Sequence, residues 1–178
     1  MATFEPESIE PNKPIRYKYN SGSKEEPYPL KNTFYDENGS ALDIVDQVYD
    51  EETGEWVVLL SGTLKTIGDN SFLGPGENLE YVKVVNNEDE SVTISDFAFY
   101  NCTADYLEIH NSVDEIKANA FKGSTIADIY IDGSVNSIYS GVTSDSNIEK
   151  INITGNVGTI EEKAFHACES LVEVKIGG

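Results

Sequence analysis

The stretch VDEIKANAFKGSTIADIYIDG, residues 113–133, decides how this chain folds. Its apolar side chains fall at Val113, Ile116, Phe121, Ile126, Ile129 and Ile131. A half-buried strand alternates at every second residue, and an amphipathic helix repeats at every third or fourth. The stretch follows neither rule for long. Aligned on its Phe, the same pattern recurs along the chain: Phe72, Phe99, Phe121, Thr143 and Phe165 stand 27, 22, 22 and 22 residues apart. Five residues before each position stands an Ile, at Ile67, Ile94, Ile116, Ile138 and Ile160. Beyond the aromatic come Leu79, Val82 and Val84 in the first unit, Ala104, Leu107 and Ile109 in the second, and Ile126, Ile129 and Ile131 in the third. The fourth carries Ile148, Ile151 and Ile153, and the fifth Leu171, Val174 and Ile176. Units in one register, none able to bury its apolar face alone, make a solenoid.

The spacing also predicts the course of one coil. In LEI, IYI and INI two apolar side chains share one side of a short strand. The V-x-x-I ahead of the aromatic supplies a second extended segment. Ala98, Ala120 and Ala164 precede the aromatic, which suits a single tight or helical turn. After the strand come Asn111, Gly133, Gly155 and Gly178, with Asn86 in the first unit. Asn and Gly tolerate a left-handed backbone, so this column predicts a turn of that kind. The fold class is therefore mainly β with short helical turns, in five coils of about 22 residues.

The run L-x-x-I-x-I-x-x-x-V-x-x-I-x-x-x-A-F-x-x-C, carried by YLEIHNSVDEIKANAF and FAFYNC, resembles the BspA-type leucine-rich repeat. The resemblance covers residues 63–178, and the lead-in IRYKY followed by VYDEETGEWVVLLSGTLKTIG is also similar to that of such proteins. It implies a curved solenoid with a parallel sheet, acting in adhesion or protein binding and not in catalysis. It also implies surface proteins of the kind found in gut and oral Bacteroidetes and in some parasitic protists. One unit departs from the pattern. Val142 and Thr143 stand where Ala and Phe belong, so that coil is expected to be underfilled or rebuilt, with Tyr139 turning inward.

Ahead of the repeats, residues 15–62 read as an N-terminal β cap. LDIVDQVYD and GEWVVLLSG flank DEETG as a hairpin with Gly54 in the turn. Trp56, Val58 and Leu60 are expected to close the open end of the first coil, because a stack without a cap exposes its core and its strand edges. Residues 1–14, with three Pro and three Glu, read as a flexible or partner-ordered tail.

Charge narrows the partners. Acidic residues outnumber basic ones 32 to 12, for a formal charge of −20. The surplus is even along the chain, at 13 against 5 in residues 1–62 and 19 against 7 in residues 63–178. Such a surface repels phosphate backbones and anionic lipid, so neither nucleic acid nor a membrane is an expected partner. No apolar run approaches a membrane span, and MATFEPESIEPNKP has no signal-peptide pattern. An extracellular or cell-surface place would need a leader outside this sequence; the alternative is a virion-associated place.

No catalytic constellation, cofactor or metal site is read in the sequence. His110 and His166 fall in different coils at different phases, and catalysis needs a nucleophile, a base and an orienting group within reach of one another. Cys102 and Cys168 take the same repeat position, three after the aromatic slot, and read as structural. The acidic turns DENGSALD, NNEDES and TSDSN lack the calcium-loop pattern and read as solvated. The outward columns of the strand face carry more information. One holds Tyr81, Tyr106, Asp128, Lys150 and Glu173, and the next Lys83, Glu108, Tyr130, Asn152 and Lys175. Tyr81, Tyr106 and Tyr130 with His110 are expected to form an exposed patch for a protein or a glycan, since aromatics offer area with a polar tip. Leu171, Val174 and Ile176 are expected to form an assembly edge on the last coil, through which an oligomer or larger assembly, such as a virion or surface appendage, would dock.

Overall fold

A computed structural model describes residues 13–20, 26–73, 79–85 and 90–177. Among them are fifteen short strands and no helix. The N-terminal part supplies β1 (Ile15–Tyr19), β2 (Phe34–Tyr35), β3 (Ala41–Leu42), β4 (Ile44–Asp50) and β5 (Glu55–Leu60). Each repeat then supplies a pair: β6 (Thr66–Ile67) with β7 (Leu79–Val84), and β8 (Val92–Ile94) with β9 (Thr103–Ile109). The third pair is β10 (Val113–Ile116) with β11 (Thr125–Ile131), the fourth β12 (Val135–Ile138) with β13 (Lys150–Ile153), and the fifth β14 (Val157–Ile160) with β15 (Glu173–Ile176).

The pairs sort into two sheets. The longer strands run in the order β15-β13-β11-β9-β7-β1-β5-β4, and the shorter ones in the order β14-β12-β10-β8-β6-β2-β3. Within the repeats every pairing is parallel, in repeat register apart from one shift between β8 and β10, with Ile116 opposite Ile138 and Ile129 opposite Ile151. The repeat Ile, Val and Leu positions point between the sheets and are buried through the fourth coil. Phe72, Phe99 and Phe121 stack along the axis, with centroids 4.7 and 5.5 Å apart.

Of the tight or helical turns expected at the aromatic slot, tight ones form and no helix does, for a reason visible in the hydrogen bonds. Alternate turn amides donate to the next coil, while those between them close single turns along their own chain, as Ala98 N does to Ser95 O and Ala120 N to Lys117 O. Phe72 N donates to Ala98 O, Phe99 N to Ala120 O, and Phe121 N to Val142 O. A helix would need those amides for itself. Two residues per turn take a left-handed backbone instead. Asn70, Phe97, Asn119, Gly141 and Lys163 stand two before the aromatic slot; Asn101, Gly123, Asp145 and Ala167 stand two after it. The column after the strand is different. Asn111, Gly133 and Gly155 are absent from the left-handed set. Gly133 and Gly155 are required by close approach, since a Cβ on either would lie 2.7 Å from backbone of the coil before it.

The departing fourth coil is closed. Val142 and Thr143 are buried, and Thr143 Oγ1 has no hydrogen-bond partner. Tyr139 does not turn inward; its hydroxyl donates to Glu115 Oε1 of the neighbouring coil at 2.8 Å. The hairpin forms as read, with Gly54 at φ 71° and β4 antiparallel to β5. However, the strand laid against the first coil is β1, which lies between β7 and β5 and is antiparallel to both. Trp56, Val58 and Leu60 are buried behind it, with Trp56 stacked on Tyr17 at 6.4 Å. Residues 1–14, read as a tail, the turn at Asn86, most of NNEDES and the turn at Gly178 lie wholly or mainly outside the described residues.

Candidate functional site

The outward face of the longer-strand sheet carries the columns read from the sequence. Tyr81 stands opposite Tyr106, Tyr106 opposite Asp128, Asp128 opposite Lys150, and Lys150 opposite Glu173. In the next column Lys83 faces Glu108, Glu108 faces Tyr130, Tyr130 faces Asn152, and Asn152 faces Lys175. The insertion of β1 adds Lys18 beside Tyr81 and Arg16 beside Lys83.

The expected patch is only partly a surface. Tyr81 is buried. Its ring stacks on Tyr106 at 5.2 Å with planes 27° apart, and its hydroxyl donates to Glu55 Oε1 at 2.6 Å. Glu55, itself buried, also takes Arg16 Nη1 at 3.2 Å and Lys83 Nζ at 3.4 Å. Lys83 Nζ lies 4.5 Å from the Tyr81 ring centre. Burial works against the Glu55 carboxylate, but the Tyr81 hydroxyl, Lys83 and Arg16 outweigh it and hold Glu55 below its ordinary range. The same contact, together with burial, pushes the Tyr81 phenol up. Tyr81 is thus enclosed within the face and adds little to its exposed surface.

Tyr106 and Tyr130 are half-buried and lie on the diagonal of two neighbouring strands. Burial, then Glu80, Glu108, Asp105 and Glu55, push the Tyr106 phenol up. His110 is exposed, and its Nε2 lies 3.0 Å from Glu108 Oε2, so it joins the face through that carboxylate. Sequence reasoning missed Glu55 and Arg16. The one available signal was a carboxylate opening the apolar run EWVVLL, and it becomes legible only once β1 is known to bridge the hairpin and the repeats.

Elsewhere the chain offers little chemistry. Cys102 is fully buried, which pushes its thiol up to about 12 and leaves it protonated. Cys168 is half-buried against Ser146 Oγ at 3.3 Å. His166 is exposed at a turn. Among the described residues no group of three or more His, Cys, Asp or Glu could hold a metal ion, and no helix is long and apolar enough to cross a membrane. At the far end Leu171 is half-buried, while Val174 and Ile176 are 37% and 44% exposed, beside an exposed Ile160.

The chain matches the family model described as the BspA type leucine rich repeat region, in six copies over residues 43–176. The match starts ahead of residue 63, where the repeat pattern first becomes readable by eye, and takes in the β4–β5 hairpin. Neither the curated proteins nor the solved structures gave a match.

Proposed function

The chain belongs to the BspA-type leucine-rich repeat family, and on that premise we propose that it is a non-enzymatic binding module working through the outward face of its longer sheet. Membership points to a repeat module of the protein-interaction or adhesion type. The finer reading is that β7, β9 and β11 present Tyr106, Tyr130 and His110 to a protein or a glycan, with Tyr81 holding Tyr106 in place from beneath. The observation that carries it is the stack of Tyr106 on a buried, hydrogen-bonded Tyr81. A preorganised ring loses little entropy on binding, and such rings concentrate binding energy. An extracellular or cell-surface place goes with this reading. The test is a glycan array and a displayed peptide library probed with the whole chain and with a Tyr106→Ala, Tyr130→Ala variant. Ligands should be lost by that variant and kept by an Asn136→Ala, Thr159→Ala variant on the other sheet. Equal retention by both variants would defeat the reading.

A second reading rests on a separate observation, the exposure of Val174 and Ile176 on an unpaired edge among the described residues. Here the chain is a structural subunit, docking through Leu171, Val174 and Ile176 into a larger assembly such as a virion or surface appendage. A discrete oligomer formed without any ligand, and dispersed by Val174→Asp, would support it. A monomer at all concentrations, with native neighbours present, would count against it.

A further inference from the structure

Four residues at the centre of the strand face form a checkerboard. Tyr106 and Glu108 alternate along β9, Asp128 and Tyr130 along β11, and each tyrosine stands directly opposite an acid. Strands lie about 4.8 Å apart and two residues rise about 6.6 Å, so the two rings stand roughly 8 Å apart on the diagonal. That gap accommodates one planar cation with a ring on each side and a carboxylate at each remaining corner.

The neighbouring coil shows this chemistry already filled from within the chain. There Tyr81 carries Lys83 over its ring at 4.5 Å, and the lysine reaches the Glu55 carboxylate at 3.4 Å. One strand further on, the position in register with Lys83 is Glu108. The arrangement keeps its ring and gains a carboxylate, but the internal cation is gone. Lys83 and Lys18 are engaged elsewhere, on Glu55 and on Glu80 at 3.3 Å. At the site itself the exposed Lys150 reaches Asp128 at 3.7 Å, and His110 Nε2 lies 3.0 Å from Glu108. Among the described residues no cation of the chain lies over the Tyr106 or Tyr130 ring. The negative field around Tyr106, from Glu80, Glu108 and Asp105, agrees with a site one positive charge short.

We propose that this checkerboard binds a cationic segment of a partner protein, with one arginine guanidinium seated between Tyr106 and Tyr130 and bonded by Glu108 and Asp128. The proposal rests on the reading of the strand face as the binding surface and names the chemistry of its partner. Arginine suits the site better than lysine, because its plane stacks on rings while its edge meets carboxylates. A neutral glycan would use the rings but bring no charge to the two acids.

The test uses the whole chain and an eight-residue peptide alternating Arg and Ser, followed by calorimetry at about 0.15 M salt, where distant charges are screened. Peptides with Lys or with neutral citrulline in place of Arg serve as comparisons. The Arg peptide should bind more tightly than the Lys peptide, and the citrulline peptide should not bind. Tyr130→Leu and Glu108→Gln should each weaken binding about tenfold or more, a loss of about 1.4 kcal/mol. Glu161→Gln with Glu162→Gln, distant on the surface, should change it less than about twofold. Matching thermal midpoints will confirm that these surface variants fold. Equal losses from the distant pair, equal binding of Lys and Arg peptides, or no binding would each overturn the proposal. A glycan or neutral peptide captured through Tyr106 and Tyr130 while the Arg peptide fails would overturn it and leave the binding-face reading standing.

Discussion

At the scale of single residues, Glu55 and Thr143 show opposite ways of burying polarity. Glu55 has three donors around its carboxylate and titrates below its ordinary value of 4.5. A lowered folded value means that its stabilisation is fully present above the unfolded value and is lost as pH falls through the folded one. Wild type and Glu55→Gln should therefore differ most near neutrality and converge as pH falls below about 4.5, measured as urea midpoints. A gap that stays constant down to about pH 3 would remove Glu55 from that role. Thr143 has no partner for its buried hydroxyl. Thr143→Val keeps the shape and removes the orphan, so it should stabilise the chain by about 1 kcal/mol in urea. The repeat alignment made the odd position of Thr143 legible, but not the response of its neighbours. Tyr139 keeps its polar tip outside because Glu115, one coil away, accepts its hydroxyl. Glu55 was not legible, since its donors come from β1 and β7, far from it in sequence.

At the scale of elements, the strands were read well and the turns were not. Strand positions follow from which side chains must face inward, and that pattern stands in the sequence. The turns depend on where their amides find acceptors, and for alternate amides those acceptors belong to the next coil. Asn70, Asn119 and Gly141 before the aromatic slot, and Asn101 and Gly123 after it, did carry a signal for the left-handed turns. Phe97, Lys163 and Ala167 in the same columns obscure it. Gly133 and Gly155 looked like the same device and serve a different one. A Cβ at residue 155 would meet Gly133 C and O at 2.7 Å, backbone that cannot swing away. Gly155→Ala should thus cost roughly 1–3 kcal/mol in urea, whereas the exposed Glu149→Ala should cost under about 0.5 kcal/mol. Equal midpoints would mean that the coils can part at no cost.

At the scale of the whole molecule, the two outer sides of the described stack differ. At one end β1 covers the first parallel strand, and the sheet runs on to β4. At the other, β15 shows Val174 and Ile176, 37% and 44% exposed. Hydrogen exchange on a demonstrated monomer should find the amides of residues 173–176 opening far more readily than those of residues 126–131, which lie between two paired strands. Equal protection would make the last coil self-sufficient and would remove the assembly reading. The proposed binding face spans the middle of the stack, where both neighbours of each strand are in place.

The position of β1 has a consequence for how the chain reaches this state during synthesis. Ile15 pairs with Val58 and with Val84, which come 43 (58 − 15) and 69 (84 − 15) residues later. The coils pair across about 22 residues, so each can settle on the one before it as it is made. Made ahead of both partners, β1 is therefore fully seated only once both exist, and it must close the longest loops in the sheet. Refolding should show two phases by pulse-labelled exchange, with residues 126–131 protected before residues 15–19. The N-terminal segment then acts as a latch set last, and a nascent chain stalled before residue 84 would hold β1 with one of its two sides unpaired.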